Sequence, residues 1–263
     1  MAKNYIMARY SAGNLIYTYE FIVIIIILII LLLFWKLNDD RNSLIVYVLT
    51  GIGDTIIELL ASASGIRIVE ETYLFGVFYV GFPLLPVIMG FFEGGVQCII
   101  AYHLIQGIML KNKLSLKFSL SYLIVTIIIM MFSRLSAFFN VSQNSIGITR
   151  RSIFSLGSIL LLISCYLVSF GYFFLNKTIN KRERISFLLW YLFIMIVYFP
   201  VFLISHITMT RFIEIEQNGT YEVAPLLEQI LVLYGYGLVL EAGGFFLPYY
   251  VIIHHFHLID LSD

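Results

Sequence analysis

From Phe21 through Leu33 the chain is apolar without a break, FIVIIIILIILLL. Flanked by Tyr17, Tyr19, Phe34 and Trp35, the segment approaches the roughly 20 residues that a helix needs to cross a bilayer. Hydrocarbon offers a backbone amide no partner, so such a run must satisfy its own hydrogen bonds as a helix. Similar runs recur to the C-terminus. The sequence therefore specifies an all-α, polytopic integral membrane bundle.

Composition agrees. Of 263 residues, 60% are hydrophobic and 12% are charged, about half the charged share of a soluble domain. The formal net charge is +0, which leaves no basic field for nucleic acid. The expected partners are membrane lipids and a small ion or hydrophobic small molecule. Cys98 and Cys165 both fall inside apolar runs and read as buried thiols, not as a disulfide or a metal pair. The first apolar run is too long for a signal-peptide core and no small-residue cleavage site follows it, so it reads as a retained span.

Polar breaks divide the chain into about seven spans. They run near 17–35, 44–66, 75–110, 116–138, 153–175, 185–210 and 225–256. Pro83 and Pro86 remove backbone donors in the third, which should be kinked or broken there. The whole chain, 1–263, reads as one transmembrane domain with a short N-terminal segment, 1–16, and a polar loop, 211–227. Lys36, Arg41, Lys111, Lys113, Lys117, Lys177, Lys181, Arg182 and Arg184 collect after spans one, three and five. By the positive-inside rule that side is cytoplasmic, with the N-terminus outside and the C-terminus inside. Lys3, Arg9, Arg67, Arg150, Arg151 and Arg211 count against this, and the acids Glu70, Glu71, Glu214, Glu216, Glu222 and Glu228 share their side.

The residues that carry chemistry are those that do not belong in lipid. Asp54, Glu58, Glu93 and Glu241 all fall within apolar spans, where an ionised side chain costs at least about 2.5–3.5 kcal/mol. Asp54 and Glu58 are four apart and share one helix face, while Glu93 has Gln97 one turn on. Two of the acids stand in related contexts, Phe92-Glu93-Gly94-Gly95 and Leu240-Glu241-Ala242-Gly243-Gly244. The glycine pairs would allow close helix approach or local unwinding, and the pattern is compatible with a short parallel repeat. The one arginine placed deep in a span is Arg134, expected to pair with Glu58 or Glu93. A second candidate site is histidine-based: His254, His255 and His257 end the last span, and His103 lies near the same side. His103, His254 and His257 would suit a zinc ion with one open position.

Some classes are excluded. Span seven has no lysine for a retinal Schiff base, and no glycine-rich phosphate loop or His-Glu-x-x-His occurs. Three readings remain. The first is a small proton- or cation-coupled transporter or permease using Asp54, Glu58, Glu93 and Glu241. The second is an intramembrane enzyme acting on a lipid or isoprenoid, by carboxylate acid–base chemistry or histidine-bound zinc. The third is a receptor or assembly subunit whose buried acids only fix packing.

Overall fold

The structure is a computed structural model that describes residues 4–12, 15–68, 72–75, 77–140, 146–259 and 261; for 9–12, 15–16, 68, 72–73, 129–140 and 146–149 it describes backbone only. Seven long helices carry the chain back and forth: α1 (Leu15–Asn38), α2 (Arg41–Ala63), α3 (Leu84–Met109), α4 (Lys113–Asn140), α5 (Leu156–Leu175), α6 (Lys181–Ile207) and α7 (Leu226–His255). Six of them, all but α4, are long and apolar enough to span a membrane over their described residues. The chain is an integral membrane protein.

Local chemistry sets the ends. Asp40 caps α2, accepting from the Ser43 amide at 3.1 Å. The chain leaves α2 through Gly65 at φ +73°, the left-handed position that glycine fills without a Cβ penalty. Asn180 and Glu183 form a reciprocal capping box on α6. Arg182 and Arg184, in the first turn of α6, cap the carbonyls that end α3 and α5, donating to Met109 O at 2.8 Å and Phe173 O at 3.1 Å.

The third helix starts at Pro83 and does not run through it. Phe78–Val80, expected inside the third span, is instead strand β4, paired in a hairpin with β3 (Thr72–Leu74) just before it. Proline lacks the donor needed within a helix but is tolerated in its first turn, so Pro83 and Pro86 mark the helix entry. Leu74 and Val80 of the hairpin pack with Tyr17, Leu85, Ile88 and Met89.

α3 is the central element, packed on α1, α2, α4 and α6, and it is the most buried of the spans. Its contact with α2 is the closest in the bundle. A Cβ on Gly90 would collide with the Thr55 backbone, and one on Gly94 with Asp54 Cβ and the Thr50 carbonyl. These two glycines, four apart, are what let the helices touch. α7 packs on α5 and α6, with Gly243 against Tyr191 and Gly244 against Tyr166.

One feature lay outside the all-helical expectation. The N-terminal segment and three loops assemble a five-stranded antiparallel sheet in the order β2-β5-β1-β6-β7, made of Arg67–Ile68, Ile146–Ser152, Asn4–Ala12, Arg211–Gln217 and Thr220–Val223. The segments 1–16 and 211–227, read from the sequence as separate polar pieces, thus supply strands to one cap. The cap covers the end of the bundle where α2, α4 and α6 finish and α1, α3, α5 and α7 begin. The sequon at Asn140, Asn140-Val-Ser, runs into residues outside those described.

Candidate functional site: an acidic cavity beneath the sheet

Sheet register decides which side chains enter the bundle. Arg67 pairs with Arg151, Arg151 with Met7, and Met7 with Ile213. Directly opposed residues share a face, so these four form one rank across the sheet. Arg67, Arg151 and Met7 line a cavity of about 420 Å³ directly beneath. Arg150, one residue away, turns to the other face, where it bonds Glu214 at 2.8 Å and covers the Tyr221 ring at 4.3 Å.

Two like charges directly opposed on one sheet face repel. Here each has its own carboxylate. Arg67 Nη1 lies 2.5 Å from Glu58 Oε2, and Arg151 Nη2 lies 2.6 Å from Glu241 Oε2. Burial acts to lower the pKa of Arg67, but the surrounding Glu58, Glu93 and Asp54 carboxylates raise it above the usual range. The deep counter-charges are therefore strand arginines. Arg134, the expected partner, has its side chain outside the described residues.

Asp54, Glu58 and Glu93 converge. One carboxylate oxygen from each lies within 4.8 Å of the others, the only such grouping of three His, Cys, Asp or Glu among the described residues. The α2–α3 approach at Gly90 and Gly94 creates it. Asp54 Oδ2 and Glu241 Oε1 are buried with no hydrogen-bond partner among the described residues. Among the described side chains, four carboxylates therefore face two guanidinium groups around one cavity. Fully ionised, these described groups leave two surplus negative charges, which two protons or a cation would balance.

Glu93 and Glu241 share a further property. Each stands in a π-helical stretch, Phe91–Val96 and Leu231–Ala242, a conformation frequent at functional sites. Widening the helix misaligns the usual carbonyl acceptors, and Tyr198 donates its hydroxyl to the Glu93 carbonyl at 2.9 Å. The remaining walls are mostly apolar, including Ile57, Leu161, Phe202, Phe245 and Phe246.

Other expected site residues fall elsewhere. Gln97 is buried but faces Tyr122, Thr126 and Pro200 on the α4 and α6 side. The three histidines do not converge as zinc ligands. His103 is buried against Phe34 and Phe118. His254 is held by Glu183 at 3.1 Å and Tyr172 at 3.2 Å, toward α5 and α6. His257 is exposed beyond the end of α7. Sequence reasoning missed Arg67 and Arg151. The available signal was the alternation of Ile146-Gly-Ile-Thr-Arg-Arg-Ser152, which as a strand sends adjacent arginines to opposite faces.

No family model matches this chain, and no curated protein or solved structure matches it either.

Proposed function

We propose that the protein is a small membrane carrier that binds a cation in exchange for protons at Asp54, Glu58, Glu93 and Glu241. The observation that carries this reading is the convergence of three carboxylates within 4.8 Å beneath a cap from which, among the described side chains, Arg67 and Arg151 supply the balancing charge. Like charges at this distance in a low-dielectric site cannot all stay ionised without a counter-ion. Protons and a cation thus compete for the same oxygens, and that competition is the physical basis of coupling. The glycine contacts of α3 and α7 mark where these helices can shift against their neighbours. On the proposed orientation, lysine-rich loops lie in the cytoplasm and the sheet caps the outer face.

The test uses purified protein in vesicles containing a pH-sensitive dye. Sodium, potassium, magnesium, calcium and alkylammonium salts are added outside in turn. At least one should drive proton movement above empty vesicles, and Asp54→Asn with Glu93→Gln should abolish it. Proton movement indistinguishable from empty vesicles for every cation would overturn the proposal.

A further inference from the structure

We infer that the ligand is an amphipathic ammonium, a positively charged amine on a hydrocarbon chain, and that it enters the acidic cavity sideways from the bilayer between α2 and α5. The inference rests on the cation-carrier reading and names its substrate class.

The cavity has two unlike halves. One carries the charge: Asp54, Glu58, Glu93 and Glu241 with their two arginines. The other is a wall of Ile57, Leu60 and Ala61 from α2 facing Gly157, Ser158 and Leu161 from α5. These two helices do not pack as neighbours elsewhere in the bundle. α2 packs on α1 and α3, while α5 packs on α7 and the start of α6, and direct contact between α2 and α5 is marginal at most. The space between them is thus a gap in the ring of helices. Leu60 is 65% exposed and Leu161 is 45% exposed, so apolar side chains border it on both sides. At Gly157 a Cβ would meet only Ile66 Cδ1, at 3.8 Å.

A hydrated inorganic ion has no use for an apolar side entrance. A hydrocarbon chain does, because it can remain in lipid while its head reaches the acids. The sign of the head follows from the surplus negative charge and from the unpartnered, buried oxygens of Asp54 and Glu241. Both residues are nearly enclosed by the protein, at relative exposures of 6% and 4%. An ammonium supplies both the missing charge and the missing donors. At about 420 Å³ the cavity lies within the usual range of small-molecule sites, roughly 300–1,000 Å³.

The test is photolabelling in phosphatidylglycerol vesicles with a single-chain primary amine carrying a diazirine on its chain, read by peptide mass spectrometry. Label should concentrate on 57–64 and 157–161. An excess of dodecylamine, or of phosphatidylethanolamine added to the vesicles, should reduce it at least about fivefold, and dodecanol should not. Displacement by dodecylamine identifies a free amine, and displacement by phosphatidylethanolamine identifies an amine-headed lipid; failure of both overturns the inference. Gly157→Trp and, from the facing wall, Ala61→Trp should each remove the label. A cooperative thermal unfolding transition in at least one of them would show that the lost label is not lost fold. Label spread evenly over all lipid-facing helices, or unchanged in both variants, would overturn the inference while leaving the carrier reading intact. Specific label without cation-driven proton movement would instead overturn the carrier reading.

Discussion

Arg151 Nη2 lies 2.6 Å from Glu241 Oε2, so a strand of the cap neutralises a carboxylate embedded in the last helix. The same arrangement recurs one strand over, between Arg67 and Glu58. Cap and bundle are joined by charge. The sheet is therefore part of the site and not an accessory to it.

Breaking one of these pairs should cost more than removing both members. Arg151→Met leaves Glu241 buried and unpaired, and stability should fall by about 3–5 kcal/mol. The double variant Arg151→Met/Glu241→Gln should recover most of that loss. Thermal unfolding of the four proteins of the cycle measures the coupling; additive losses would contradict the pairing.

The α2–α3 contact leaves no room at Gly94. Gly94→Ala should overpack the interface against Asp54 and Thr50, lowering stability by about 1–3 kcal/mol and weakening any cation response. Gly235 has open space at its Cβ position, so Gly235→Ala should stay within about 0.5 kcal/mol of the parent. Equal effects at the two positions would contradict the close approach.

Sheet register predicts a specific cross-link. Asn4 opposes Glu216 and donates to its carboxylate at 2.8 Å. Asn4→Cys with Glu216→Cys should form a disulfide under mild oxidation, whereas Asn4→Cys with Ile215→Cys, whose side chain points to the other face, should not. Non-reducing electrophoresis separates the outcomes.

His254 is expected to act locally. His254→Ala removes its contacts with Glu183 and Tyr172 and should cost about 1 kcal/mol without altering any response to zinc. A zinc-dependent stabilisation lost in this variant would show that the histidines bind metal.

Much of this fold was legible in the sequence because a bilayer leaves few alternatives. The seven long helices follow from long apolar runs, and Asp54, Glu58, Glu93 and Glu241 stood out because lipid punishes charge. The glycines beside Glu93 and Glu241 pointed correctly to close helix contacts. The cap was not legible. Its strands are two to nine residues long and come from four separate regions, so their pairing is set by where the helices place their ends and not by local pattern. Arg67 and Arg151 were hidden for the same reason: each read as a loop charge until register turned it inward. Phe78 to Val80 misled because an apolar stretch beside a span looks like its continuation.

The central claim is that Asp54, Glu58 and Glu93 hold exchangeable protons. Infrared difference spectroscopy of the protein in vesicles, between about pH 5 and about pH 8, reads buried carboxylic acids directly. The account predicts a carboxylic acid band that fades as pH rises, shrinks in Asp54→Asn and in Glu93→Gln, and is displaced by the bound cation. A spectrum with no titrating buried acid, identical in parent and variants, would contradict it.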